Sequence, residues 1–153
     1  MVKVCEFTEE VGKLHLEKPG LIREIAMRMY GVPYRWAGAT PVGGLDCSGF
    51  IVELFKSVGL LKNSEDLSSA ALSERYSTRV SYQSYQLGDL AFYGKGKVSH
   101  VAFFIDYRHV IEAAGGDSSC LTREDAINQQ AFVRIRPHNY RSDLMFVTRP
   151  LYF

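Results

Sequence analysis

The spacing of apolar residues changes halfway along the chain, and this change limits the fold more than any other feature. In the first half, one stretch places apolar side chains at i, i+3, i+4, i+7, i+8 and i+11, the repeat of a helix with a single buried face. Its members are Cys47, Phe50, Ile51, Leu54, Phe55 and Val58. Gly59 follows them and is expected to end the helix. Beyond residue 88 the apolar residues form short continuous runs, which are typical of buried strands.

The rest of the first half predicts further helices and one long loop. A helix is predicted over 21–29, because its apolar residues have helical spacing, and Gly31 with Pro33 should end it. Four glycines and two prolines lie within 31–46, so this segment is predicted to be a loop. A short helix is predicted over 69–76, and residues 1–18 predict a leader strand or a short helix.

The second half predicts strands and one small helix. The runs at 90–93, 101–105, 110–114, 132–136 and 144–148 indicate strands. Thr122 is expected to cap a helix that continues to residue 128. Helices that come mainly first and strands that come mainly last predict an α+β fold with an antiparallel sheet. The length of 153 residues predicts a single domain over 1–153.

Composition removes several classes of partner. Lys and Arg number 18 against 17 Asp and Glu, so the net charge is +1 and we expect no binding to nucleic acid. No apolar run is long enough to span a membrane, and the first residues lack the apolar region of a signal peptide. The three cysteines do not form a disulfide framework, and neither Cys-x-x-Cys nor His-x-x-x-His spacing occurs, so no metal is predicted. The glycines match neither a phosphate loop nor a dinucleotide fingerprint, so no cofactor is predicted.

Cys47 is the candidate nucleophile. It begins the clearest helix directly after the glycine-rich loop, where the partial positive charge of a helix N-terminus favours thiolate over thiol. The free N–H groups there can also receive an oxyanion. The alternative is that Cys47 is a small buried residue at the start of the apolar stripe. Asp46 is a good helix cap, although its charge would oppose thiolate formation.

His100 is the candidate base, and Glu112 is the candidate partner that orients it. A hairpin with a three-residue loop at 105–107 would place His100 opposite Glu112, with Cβ atoms about 4.5–5.5 Å apart. The same hairpin places His109 opposite Phe103, on the other face of the sheet. The alternatives are a histidine bonded to backbone at a strand end and a solvated carboxylate. Apolar neighbours of Glu112 argue against the second, because an unpaired charge among them would be costly.

Four short blocks together resemble the NlpC family of cell-wall cysteine peptidases. The first two are Tyr-Arg-Trp-Ala-Gly at 34–38 and Asp-Cys-Ser-Gly-Phe at 46–50. The other two are Gly-Asp-Leu-Ala-Phe at 88–92 and Ser-His-Val-Ala at 99–102. Their order and spacing make the match specific, and the core motifs cover 21–114.

This resemblance implies a papain-like fold in which the cysteine heads a helix packed on an antiparallel sheet. It implies Cys47 as nucleophile and His100 as base. The family's third polar residue, often a histidine, falls about twelve positions after the catalytic histidine. That position holds Glu112 here, a departure that should favour a thiolate–imidazolium pair.

The resemblance also extends to substrate contacts. Tyr34 resembles the family's tyrosine near the oxyanion, and Asp46 and Ser48 resemble residues that bind the stem peptide beside the nucleophile. The loop between Tyr34 and Cys47 is about one residue longer than in common relatives, which bears on fine specificity.

The function implied is hydrolysis of an amide bond in peptidoglycan stem peptides, typically after D-isoglutamate, through an acyl-enzyme. A stand-alone domain without a leader resembles bacteriophage-encoded members. We therefore expect synthesis in the cytoplasm and action at the wall through lysis, a virion tail or a secretion system, with phage tail or lysis proteins as partners. Two alternatives stay open: a non-catalytic tail module with this fold, and a papain-like amidase or acyltransferase with a non-wall substrate.

Overall fold

The computed structural model describes residues 18–152. The predicted leader segment lies outside this range except for its last residue, Lys18. There helix α1 begins and runs over Lys18–Arg28, three residues earlier than the apolar spacing indicated. Proline is favoured in the first turn of a helix, so Pro19 opens α1 rather than preceding it. Ile22 and Ala26 are its buried residues.

Helix α2, over Cys47–Ser57, is the central element of the core. The carboxylate of Asp46 caps it by accepting a hydrogen bond from the Gly49 N–H at 2.6 Å. The middle of the predicted stripe is buried, with Phe50 and Leu54 fully so, whereas its end members Cys47 and Val58 are partly exposed. A Cβ atom at Gly49 would overlap the carbonyl oxygen of Gly38, so only glycine allows this helix to lie so close to the preceding loop.

The predicted loop at 31–46 carries two short strands. Strand β1 (Ala39–Thr40) pairs with β2 (Gly44–Leu45) in a small antiparallel hairpin. Two-residue strands are too short to give a sequence period, which is why the composition indicated loop alone. Helix α3, over Ser69–Arg75, follows as predicted, and the Ser68 hydroxyl caps it by accepting from the Ala71 N–H at 3.2 Å.

A six-stranded antiparallel sheet forms the second half in the order β3-β8-β4-β5-β6-β7. Its strands are β3 (Arg79–Val80), β4 (Leu90–Tyr93), β5 (His100–Phe104), β6 (His109–Ala114), β7 (Phe132–Pro137) and β8 (Leu144–Thr148). Five of them match predicted runs within a residue. Strand β3 and a 3-10 turn at Tyr82–Ser84 were not predicted, because they carry no buried residue. Helix α4, over Arg123–Asn128, has the predicted Thr122 cap.

The two faces of the sheet are covered differently. One face packs on α2 and forms the larger core with side chains such as Phe92, Val101 and Phe103. The other face carries a smaller cluster that includes Ala91, Tyr93 and Phe104, against which residues such as Tyr140 and Leu144 pack. His100 and Glu112 belong to this second face, since their strand neighbours alternate with those of the main core.

The β5–β6 hairpin differs from its predicted register by two residues. Phe103 pairs with Ile111 and not with His109, because the three-residue turn is 106–108 and not 105–107. Asp106 fixes this turn by accepting hydrogen bonds from the N–H groups of Arg108 and His109, each at 2.7 Å. A shift of two residues preserves the face of every side chain, so His100 and Glu112 become diagonal neighbours.

The pairing between β5 and β6 is short. Within the described chain, the ladder consists of Phe103 with Ile111 and Phe104 with Val110. Strand β4 pairs with β5 as far as His100, and β7 pairs with β6 as far as Ala114. Beside the candidate site, β5 therefore still pairs with β4 and β6 still pairs with β7, but β5 and β6 no longer pair with each other. Within residues 18–152, no helix has the length and apolar character needed to cross a membrane.

Candidate active site

A cleft of about 870 Å³ opens where the start of α2 meets one end of the sheet. One wall is made by the starts of α2 and α3, and the other by the β4–β5 turn, the ends of β6 and β7, and the loop before β8. All six residues predicted for the site line this cleft or contact one that does: Tyr34, Asp46, Cys47, Ser48, His100 and Glu112.

Cys47 is the first residue of α2, and its sulfur is partly exposed to the cleft. The sulfur lies 3.4 Å from the Ser69 hydroxyl and 4.0 Å from the Ser99 carbonyl oxygen. Burial raises the pKa of the thiol, but a hydrogen bond with His100 and the charge of that imidazolium outweigh it and lower the pKa below its ordinary value. The Ser69 hydroxyl lowers the pKa further, whereas the charge of Asp46 opposes thiolate formation as expected.

His100 lines the cleft together with Cys47 and is held there by Glu112. Its Nε2 atom lies 2.6 Å from Glu112 Oε2, so Nδ1 is the ring nitrogen left for the thiol. Burial lowers the pKa of the imidazole, yet hydrogen bonds with Cys47 and Glu112 and their charges raise it to about 9. This favours an imidazolium beside a thiolate, which is the reactive pair of a thiol hydrolase.

Glu112 is fully buried, with 0% of its surface exposed. The Tyr140 hydroxyl donates to its Oε2 at 2.9 Å, which is the same oxygen that contacts His100. Burial raises the pKa of this carboxyl, but His100, Tyr140 and the charge of Arg134 lower it below its ordinary value. The residue therefore places a negative charge behind the imidazole.

The three predicted substrate-binding residues line the cleft, with Asp46 and Ser48 at the start of α2. Asp46 Oδ1 accepts a 3.2 Å hydrogen bond from the Ser48 hydroxyl in addition to capping α2. Tyr34 is buried, and its ring lies against Gly116, where a Cβ atom would overlap it. Burial and the nearby charges of Cys47 and Asp46 raise the pKa of the Tyr34 phenol, which keeps it protonated as a hydrogen-bond donor.

His109 and Cys120 have contacts other than the reactive atoms. His109 Nδ1 contacts Asp106 at 3.0 Å in the hairpin turn. Cys120 is buried and contacts the Tyr34 carbonyl oxygen at 3.5 Å. Cys5 lies outside the described residues. Among residues 18–152, no group of three or more His, Cys, Asp or Glu side chains comes together as a metal site.

Sequence reasoning missed three residues at the centre of this arrangement. Ser69 beside the thiol is the first residue of α3, and a Ser-Ser pair at a predicted helix start was its only local signal. Tyr140 and Arg134 reach Glu112 from distant positions in the chain, 28 and 22 residues away. No short-range pattern marks such contacts, because they depend on how β7 and the following loop return to the sheet.

Comparison with known proteins assigns the chain to a family. The model of the NlpC/P60 family matches residues 31–137, which is more than half of the chain. The chain belongs to the NlpC/P60 family. The solved structure of an NlpC/P60 family protein from Bacillus cereus superimposes with a TM-score of 0.65 and 29% identity, over 84% of this chain and 38% of that one. The fold is therefore the papain-like α+β fold of NlpC/P60 domains, as predicted.

Individual NlpC/P60 relatives are enzymes named for wall peptides. A gamma-D-glutamyl-L-lysine dipeptidyl-peptidase of Bacillus cereus is 34% identical over 93 residues, which cover 58% of this chain and 26% of that protein. The peptidoglycan endopeptidase RipB of Mycobacterium tuberculosis is 32% identical over 109 residues, which cover 62% and 42%. The chain thus spans less than half the length of these relatives.

Proposed function

We propose that this NlpC/P60 domain is a peptidoglycan endopeptidase that cleaves an amide bond of stem peptides after D-isoglutamate. The observation that carries the proposal is the 2.6 Å contact between His100 and Glu112 at the cleft that Cys47 and His100 line together. The names of the relatives supply the substrate class, since they specify a glutamyl-lysine bond and peptidoglycan.

The chemistry proceeds in two halves. The Cys47 thiolate attacks the scissile carbonyl carbon and forms a C–S bond, and the carbonyl oxygen becomes an oxyanion. Collapse of this tetrahedral intermediate expels the amine, to which His100 gives its proton, and leaves a thioester on Cys47. His100 then removes a proton from water, and the resulting attack releases the carboxylic acid and restores the thiolate.

The other predicted residues stabilise these steps. In this proposal, the N-terminus of α2 and the protonated Tyr34 phenol donate hydrogen bonds to the oxyanion. Asp46 and Ser48 present a carboxylate and a hydroxyl beside the nucleophile, where they bind polar groups of the peptide. Glu112 stabilises the His100 imidazolium until its proton passes to the leaving amine.

The test is mass spectrometry of peptides released from purified sacculi. Wild-type protein should release stem-peptide fragments that begin with the residue after D-isoglutamate and leave a new D-isoglutamate carboxyl end on the glycan, whereas Cys47→Ala should release none. Cys120→Ala is the matched control, because it removes a buried thiol that contacts the backbone oxygen of Tyr34 and does not line the cleft. Absence of release from several wall chemotypes by folded protein would contradict the proposal and favour a non-catalytic module or a different amide substrate.

The route to the wall is a finer part of the proposal. Its basis is the resemblance to bacteriophage-encoded members, which suggests a lysis enzyme or a tail-associated hydrolase. In that role, expression in the bacterial cytoplasm should lyse cells only when a membrane-permeabilising protein is co-expressed. Lysis by the domain alone, or intact cells under co-expression despite digestion of purified sacculi, would contradict a lysis role.

A further inference from the structure

The two walls of the cleft carry different charges. The helix-side wall has one charged carboxylate, Asp46, among hydroxyl groups. The wall on the sheet side carries three cationic side chains, Lys97, Arg134 and Arg141. They come from the β4–β5 turn, from β7 and from the loop before β8, so three separate segments bring positive charge to one side of the reactive thiol.

Arg141 is held rigidly on this wall. Its Nε and one terminal nitrogen donate to the two carboxylate oxygens of Asp143 at 2.7 and 2.6 Å. Its guanidinium carbon also lies 5.3 Å from the centre of the Tyr93 ring. The neighbouring Tyr140 also interacts with this guanidinium, and the Arg141 side chain still lines the cleft. A guanidinium oriented from behind loses little further freedom when it binds an anion.

Arg134 and Lys97 have side-chain nitrogen atoms without a hydrogen-bond partner among residues 18–152. One terminal nitrogen of Arg134 donates to the Gln130 carbonyl oxygen at 3.2 Å, while its buried Nε has no partner within residues 18–152. The other terminal nitrogen lies beside Gly115, where the missing side chain leaves room at the cleft. Lys97 is exposed and makes no ion pair with a described residue.

We propose that the sheet-side wall is a binding site for a carboxylate of the substrate, with Arg141 as its anchor and Lys97 and Arg134 as supporting cations. Guanidinium groups recognise carboxylates through paired, charge-assisted hydrogen bonds. The inference rests on the proposed function, and a glutamyl-lysine peptide offers two such groups. One is the α-carboxylate of D-isoglutamate, on the acyl side of the scissile bond, and the other is the α-carboxylate of lysine, on the leaving side.

The experiment measures kcat/KM for four synthetic peptides. They are L-Ala-γ-D-Glu-L-Lys, its two monoamides and its diamide, so that each carboxylate is neutralised separately. The variants are Lys97→Gln and the double variant Arg141→Gln/Asp143→Asn, which removes the guanidinium without leaving Asp143 unpaired. Arg108→Gln is the control, since Arg108 lies in the β5–β6 turn outside the cleft.

Wild type should favour the acid over one monoamide by about tenfold, and the double variant should lose most of that preference. The monoamide that is disfavoured identifies the source of the carboxylate. Equal rates for all four peptides, or an equal loss for acid and amide in the double variant, would overturn the site. Because every ratio compares peptides on one variant, general damage to catalysis cancels.

Binding to Cys47→Ala separates this inference from the proposed function. Calorimetry with the same four peptides should show tighter binding of the acid even if none of them is hydrolysed. Wild-type turnover combined with equal binding would retain the peptidase and overturn the carboxylate site. Selective binding without turnover by wild type would retain the site and overturn the peptidase.

Discussion

The carboxylate of Glu112 stays charged although its burial disfavours the charged form. Three neighbours compensate: the His100 imidazolium, the Tyr140 hydroxyl and the positive charge of Arg134. The carboxylate in turn raises the pKa of His100. Each group is therefore ionised because of the other, and loss of either partner should affect the charge of the whole site.

Replacement of Glu112 by Gln tests this dependence. The amide keeps the size of the side chain but removes its charge, so the pKa of His100 should fall from about 9 towards its ordinary value of 6.5. We expect the alkaline limb of the kcat/KM profile to move to lower pH and the rate to fall by on the order of a hundredfold. An unchanged alkaline limb would contradict the role given to Glu112.

The same shift has a consequence for stability. The folded-state pKa of His100, about 9, lies above its ordinary value of 6.5, so folding strengthens proton binding. This contribution to the free energy of unfolding is complete below pH 6.5 and is lost as pH rises through 9. Urea unfolding of wild type between these values should show the decline, and Glu112→Gln should show a smaller one.

Tyr140 is expected to act through Glu112 as a positioning residue. Tyr140→Phe removes the hydroxyl that donates to Oε2, so the pKa of Glu112 should rise. We expect kcat to fall by about tenfold while KM changes little, and activity on the acid side to be lost at a higher pH than in wild type. Tyr85→Phe, which alters a tyrosine packed on Phe104, should match wild type in both respects.

At the scale of residues, contacts between positions close in sequence could be predicted and contacts between distant positions could not. The contact between His100 and Glu112 was predicted because a tight hairpin limits where residues twelve positions apart can lie. Tyr140 was beyond reach because a loop after β7 brings it back to the sheet. The catalytic roles assigned to Cys47, His100 and Glu112 stay predictions until the variants are measured.

Among the elements, α2 depends most on a single small residue. Gly49→Ala would force a methyl group into the Gly38 carbonyl oxygen, and we expect a loss of about 1–3 kcal/mol in the free energy of unfolding. Gly20→Ala in α1 is the matched control, because a Cβ there meets nothing within 4 Å. It should be neutral or stabilising by about 0.5–1 kcal/mol, since alanine favours helix. Equal effects in urea unfolding would contradict the close approach.

The β5–β6 hairpin shows why an element can be predicted correctly with the wrong register. Apolar runs locate strands, but the turn position depends on Asp106 bonding to two N–H groups, which the apolar pattern does not reveal. The error of two residues was harmless to the site because side chains alternate with a period of two. A one-residue error would have moved Glu112 to the face that packs on α2.

Over the whole molecule, the antiparallel sheet was predictable but the order of its strands was not. Adjacent pairs such as β4–β5 and β5–β6 follow from short turns between apolar runs. Strand β8 pairs with β4, more than fifty residues away in sequence, and β3 then joins its outer edge. Those pairings depend on burial against the core, which a single sequence does not order.

Because the ladder between β5 and β6 is short, the sheet divides into two leaves beside the cleft. One leaf is β3-β8-β4-β5 and the other is β6-β7, joined at Phe103 and Phe104. Backbone amides alternate in direction, so the Val101 amide points towards the other leaf beyond the last ladder pair, whereas the Ala102 amide points to β4. Val101 should therefore exchange its amide hydrogen faster than Ala102 in native-state measurements.

A bound peptide would contact both leaves and hold them together, because the cleft is lined by residues from both of them. Amide protection at Val101 should then rise when a stem peptide is added to Cys47→Ala, while Phe92 within the first leaf stays unchanged. Equal protection with and without peptide would mean that the leaves are already locked. If protection rises, bound substrate draws the two leaves together, and release of product lets them separate again.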